Sequence, residues 1–165
     1  MVRVAEVAGI SMGSLYQYFP DKVSLGAHLI ELHSEREVAF HLEGFARLAP
    51  DASLRQILSA VVRMPLAFQA LDRPLHRALL DAMPHVGRHP LLVERVRTTA
   101  LGLRALLERH RDELDHPDLD RATHVLVNAI HSLTHDGVLP RPSDLDDDAL
   151  AREIERLLVG HLGLR

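Results

Sequence analysis

With 165 residues, 47% hydrophobic and 25% charged, the chain has an ordinary globular balance and enough apolar material for a real core. It contains no cysteine, which excludes disulfides and thiolate chemistry, and only 4% of its residues are aromatic, so the core must be mostly Leu, Val and Ala. A net charge of −4 gives no general attraction to nucleic acid, so a DNA reader of this composition must concentrate its contacts in one small place.

Helical spacing of apolar residues recurs along the chain, and no segment alternates as a strand would. Val2–Ala8 reads as a short helix with Val4, Ala5 and Ala8 on one face, ended by Gly9, which can adopt the left-handed conformation. Ser11 is placed to cap a second helix, Met12–Tyr18. Asp21 is placed to cap a long third helix, Lys22–Ala46, marked by Leu25, Leu29, Leu32, Ala39, Leu42 and Phe45. Ser53 opens the next long helix, with Leu54, Ile57, Leu58, Val61 and Phe68, which Pro65 is expected to kink. A shorter helix near Pro74 carries Leu75, Ala78, Leu79 and Ala82 and is expected to stop before Pro84, with a loop over residues 85–90. Residues 91–111 form another helix, broken at His116-Pro117. Residues 119–134 are apolar on more than one side, the mark of a helix buried against two neighbours. A loop follows over residues 136–144, and a last helix spans residues 147–162. The fold class is therefore all-α: an N-terminal helix-turn-helix within residues 1–46, then a larger helical bundle over residues 47–165. No signal-like segment opens the chain and no apolar run nears the ~18 residues of a membrane span, which points to the cytoplasm and to no membrane partner.

The segment AGISMGSLYQYFPDK, residues 8–22, holds both tyrosines and the only lysine of a chain with eighteen arginines. Lysine is a point charge where arginine is a planar fork, so the choice is specific. Lys22 also stands at a helix start, against the dipole, which suggests a phosphate partner. Ser14, Tyr16, Gln17 and Tyr18 fall on the exposed side of the second helix, and Leu15 and Phe19 on the core side. Gly13 is small enough to let a DNA backbone approach.

This segment resembles the recognition-helix signature of the TetR family of transcriptional repressors, and VSLGAHLIELHSE, residues 23–35, is similar to the start of that family's following helix. The likeness covers residues 2–35 specifically and the remainder in helix number and length. It implies an all-α homodimer whose larger C-terminal domain binds a small ligand and dimerises through the last two long helices. Carried over, Ser11, Ser14, Tyr18 and Lys22 would contact phosphates, and Met12, Gly13, Tyr16 and Gln17 would approach bases or sugars, with Gln17 able to pair bidentately with adenine. The family has a further helix and a basic tail before the segment that begins here at Val2. Residues 1–22 set Arg3 and Lys22 against Glu6 and Asp21, a net charge of zero. The expectation is that an upstream helix supplies packing for Leu15 and Phe19, that residues 1–165 alone bind operator weakly or not at all, and that restoring the helix rescues binding.

Twelve histidines raise the question of a metal. His131 and His135 stand four apart on one helix, as do His85 and His89 near a loop, a spacing two zinc ligands can use. There is no cysteine and no H-E-x-x-H, so the expectation is no metal and no cofactor, with Asn128 and His131 hydrogen-bonding a ligand or a partner subunit. No nucleophile triad or phosphate loop argues for an enzyme. Met64, Phe68, Leu79, Met83, Val96, Leu103 and Leu107, with Asn128 and His131, are the candidate lining of a ligand pocket; each aliphatic one could equally be plain core. Leu126, Ile130, Leu133, Ile154, Leu157, Leu158 and His161 are the candidate dimer interface. The reading is a TetR-like repressor of operator DNA released by a small apolar molecule; the alternative is a ligand-binding or interaction bundle of the same descent that has lost DNA binding.

Overall fold

The computed structural model of the chain describes residues 1–86, 90–136, 143 and 148–164. Eight α-helices occur among these residues, with no strand: α1 Val2–Ala8, α2 Met12–Tyr18, α3 Lys22–Ala46, α4 Leu54–Leu71, α5 Arg73–Val86, α6 Pro90–Arg109, α7 Leu119–His131 and α8 Ala149–Leu162. The fold is all-α, an N-terminal helix-turn-helix followed by a helical bundle. Of the loop expected at 85–90, residues 87–89 lie outside the described residues, while residues 85, 86 and 90 are helical; of that expected at 136–144, residues 136 and 143 alone are described.

Local signals set the helix starts. The Asp21 carboxylate accepts from the Ser24 amide at 2.7 Å, and the Ser24 hydroxyl accepts in turn from the Asp21 amide at 3.3 Å. At α4 the Ser53 hydroxyl accepts from the Gln56 amide at 3.3 Å, and the Gln56 carbonyl accepts from the Ser53 amide at 2.8 Å. Each reciprocal pair satisfies two of the amides that a helix start leaves open. Asp118 caps α7, accepting from the Arg121 amide at 2.9 Å.

Two helices continue through a proline. Pro65 is buried inside α4, which continues to Leu71, and α5 runs through Pro84 to Val86 rather than stopping before it. One missing N–H removes one hydrogen bond, and helices already packed on neighbours tolerate that loss. α7 does not end at His131 but widens into a π-turn over Ser132–Asp136. The Thr134 carbonyl in that turn accepts from the buried Gln69 amide of α4 at 2.5 Å.

α4 is the central element, packed against α3, α5, α8 and the π-turn, while α6 packs on α7. The main core joins α4, α6, α7 and α8 through Leu54, Leu58, Val62, Leu107, Leu126, Ile154 and Leu158. A second seam, richer in rings, lies between α3, α4 and α5: Phe68 meets His33 at 5.0 Å and Phe40 at 5.6 Å between ring centroids. Near the end of α3, Gly44 leaves a notch for Met64, where an added Cβ would stand 2.7 Å from the methionine methyl. Arg63 of α4 reaches α8 and its cap, pairing with Glu155 and Asp148 at 2.8 Å each.

Gly163 closes α8 with φ +59°, and a Cβ there would lie 2.8 Å from the Cβ of Asp115. Gly163→Ala therefore suffers both a left-handed backbone and a collision, and is expected to cost about 1–3 kcal/mol, read as a lower denaturant midpoint with an unchanged slope.

Candidate functional site

α1 ends at Gly9, whose φ of 66° turns the chain, with the Ile10 amide donating back to the Ala5 carbonyl at 3.1 Å. Ser11 then caps α2 by accepting from the Ser14 amide at 3.0 Å, and the two hydroxyls lie 2.9 Å apart. Ala5 and Leu15 are the buried residues of these two short helices. That corner directs the rest of α2 outward. Tyr16 is 47% exposed and Tyr18 77%, with Gln17, Gly13 and Ser11 also exposed and Met12 and Ser14 half-buried. Phe19 is half-buried against the His28 ring, 5.5 Å away.

Lys22 follows the Asp21 cap as the first residue of α3 and is exposed. The hydrogen bond from the Ser24 amide holds the Asp21 carboxyl below its ordinary range, aided by the Ser24 hydroxyl. The anion therefore persists at the helix start and offsets the dipole that opposes Lys22. Gly13 has no internal reason to be glycine: a Cβ would meet the Ser11 hydroxyl at an ordinary 3.7 Å, and φ is not positive. Hydroxyl, amide and ammonium groups thus stand exposed on α2 and at the start of α3, with no side chain at position 13.

Among the described residues, those expected to line a pocket divide between the main core, the α3–α4–α5 seam and the surface. Leu103 and Leu107 belong to the main core, Leu107 with no exposure. Phe68 and Leu79 are buried, and Met64 and Met83 half-buried, with Met64 seated over Gly44. The side chain of Val96 lies outside the described residues. Asn128 and His131 are exposed on α7, and the Asn128 amide donates to the His124 carbonyl of its own helix at 2.7 Å. These two are therefore surface groups of the single chain and not interior lining.

The interface set also divides. Leu126, Ile130, Ile154 and Leu158 are enclosed within the chain, so they build its core and have almost no surface left to offer a partner. Leu157 is 49% exposed, while Leu133 and His161 are half-buried. Leu157 and His161 line an open groove of about 380 Å³ between α7 and α8, together with Val125, Ala129, Arg156 and Gly160. Sequence periodicity missed Val125 and Gly160 as surface features. A Cβ on Gly160 would meet nothing within 4 Å, so this glycine too is unexplained inside the chain. A second groove, about 580 Å³, runs between α4 and α8 past Arg55, Ser59 and Arg152.

Sequence reasoning also overlooked Gln69, His33 and His76, all wholly or partly buried among α3, α4 and α5. For His76 a signal existed: with Leu79, Leu80 and Met83 it completes one helical face of α5. Among the described residues no three His, Cys, Asp or Glu side chains come together as a metal site, and no helix is long and apolar enough to cross a membrane. The side chains of His135 and His89 lie outside the described residues.

Residues 53–162 match the family model described as Tetracyclin repressor-like, C-terminal domain, which spans 110 of the 165 residues. No curated protein and no solved structure matches the chain.

Proposed function

The chain belongs to the tetracyclin repressor-like family of regulators, and from that premise we propose that it is a repressor which binds operator DNA as a homodimer and is released by a small apolar ligand. The solvent face of α2 carries this reading. Tyr16, Gln17 and Tyr18 project from a helix anchored by Leu15, and Gly13 leaves its start open to close approach. Gln17 reads a base edge, Tyr16 and Met12 lie against bases or sugars, and Ser11, Ser14, Tyr18 and Lys22 hold phosphates. The ligand enters the C-terminal helical bundle and favours a spacing of the two recognition helices that no longer fits successive major grooves. The protein acts in the cytoplasm, with no metal or cofactor and no catalytic step.

The test is fluorescence anisotropy on DNA from upstream of the gene, across a salt series. Lys22→Ala is expected to weaken binding to every sequence and to reduce the salt slope by about one unit, because one counterion fewer is released. Gln17→Ala is expected to relax preference at one base pair and to cost ~1–3 kcal/mol on the preferred site. Tyr16→Phe is expected to cost ~0.5–1.5 kcal/mol, one hydrogen bond. Gly13→Ala separates folding from binding: it should be neutral or stabilising by up to about 1 kcal/mol, since the space is open and helical, yet weaken operator binding. Indifference of operator affinity to all four substitutions, or no operator binding even with an upstream helix restored, would favour the bundle that has lost DNA recognition.

A further inference from the structure

The seam between α3 and α5 is closed by two imidazoles. His33 Nε2 and His76 Nδ1 lie 3.2 Å apart, joining residues 43 positions apart in the chain. Their rings sit 5.5 Å apart, and the His33 ring also packs on Phe68. His76 is 8% exposed and His33 half-buried. We propose that this pair is a proton-sensitive latch: it fastens the helix that carries the DNA-binding segment to α5 while both imidazoles are neutral, and releases it when the pair takes up protons. The latch itself rests on the fold alone; its use in regulation rests on the DNA reading proposed above.

The geometry dictates the response. A nitrogen-to-nitrogen hydrogen bond needs one ring to present N–H and the other a bare lone pair. Two neutral rings satisfy it. Two protonated rings present N–H on both sides and repel, so the bond cannot survive in the doubly charged state. The surroundings oppose even the first charge. Arg36, on α3, repels a proton on His33, and Asp72, at the α4–α5 junction, partly offsets it. α4 presents the Phe68 ring to His33, and it does not titrate. Further along α3, His41 lies 4.0 Å from Glu37 and is also held neutral by burial.

Burial, with a smaller contribution from His33, lowers the pKa of His76 from 6.5 to about 4. The His33 pKa is lowered as well, first by burial and then by Arg36. The sign follows. A histidine whose folded pKa lies below its open-state value stabilises the closed seam above that open-state value, and loses the contribution as pH falls from 6.5 toward about 4. Between about pH 7 and pH 5, His76 alone favours opening by about 20-fold.

The experiment uses the full chain without DNA. Imidazole nitrogen–proton correlation spectra resolve each histidine across the pH range, and amide hydrogen exchange around His33, corrected for intrinsic exchange, reports seam opening. Coupled His33 and His76 midpoints below those of the exposed histidines, with opening that rises about 20-fold from about pH 7 to pH 5, are the expected result. The His33→Gln/His76→Gln double variant keeps a donor and an acceptor but cannot titrate, and its opening should change by less than about threefold. Midpoints at or above the ordinary value, opening in the native chain that ignores pH, or a 20-fold response retained in the double variant would overturn the latch. Should the double variant not fold, the titration of the native chain decides alone. Operator binding is measured separately. Affinity lost on acidification in the native protein and kept in the variant ties the latch to regulation. A protein that binds no operator at any pH even with an upstream helix restored, yet opens its seam, overturns the DNA reading and leaves the latch standing.

Discussion

A Leu157→Glu variant is expected to sediment as a folded monomer at micromolar concentration, where the native chain sediments as a dimer. Leu157 is 49% exposed and lies in the groove between α7 and α8, so the change removes little from the chain's own core. In a two-fold symmetric dimer one substitution enters the interface twice, from both copies. Each carboxylate would be carried out of water with Val125, Ala129 and Gly160 for company, and the arginine that lines the groove among the described residues, Arg156, is paired with Glu153. An unpaired buried charge costs several kcal/mol, so dimer affinity should fall by at least ~100-fold. Gly160→Arg should act likewise through bulk, since the site is open in the single chain. A stable homodimer normally buries above ~1,600 Å² in total. A native monomer under these conditions would refute the proposed assembly, as would a dimer indifferent to both substitutions.

Leu158→Ala, one residue on, is expected to do the opposite: to spare the surface and weaken the fold. Leu158 is fully enclosed, in the cluster that joins α8 to α4 and α7. Removing its branched end deletes buried carbons and leaves a cavity that packed neighbours fill only in part, a loss of about 2–5 kcal/mol. For a chain of this length that is a fall in melting temperature of roughly 4–20 °C. Calorimetry at fixed protein concentration reads it without confusion from dimer dissociation. A loss below ~1 kcal/mol would mean that α8 is loosely seated.

These neighbouring leucines show where sequence reading stops. Helix starts were legible because their causes are local: Ser53 and Gln56, or Asp21 and Ser24, satisfy each other within four residues. The Gly9 turn was legible for the same reason. The solvent face of α2 followed from Leu15 as its anchor. Periodicity could not tell Leu157 from Leu158, since both are apolar and only the third dimension decides which one α4 covers. Nor could it find the His33–His76 pair, whose partners are far apart in the chain and polar by type. The persistence of α5 past Pro84 was hidden because packing outweighs one lost hydrogen bond.

The Met64 notch at Gly44 has a mechanical consequence. α3 is a single helix of 25 residues, and Lys22, at its other end, lies 22 residues from Gly44, a span of about 33 Å at 1.5 Å per residue. Were α3 to pivot there as a rigid rod, small rotations would be magnified at its other end. Tilting α3 by about 5° around the notch would carry its tip by about 3 Å, close to the ~3.4 Å rise of one base step. Broadening residue 44 by a methyl group would move the pivot, and with it the arc that the recognition helix sweeps.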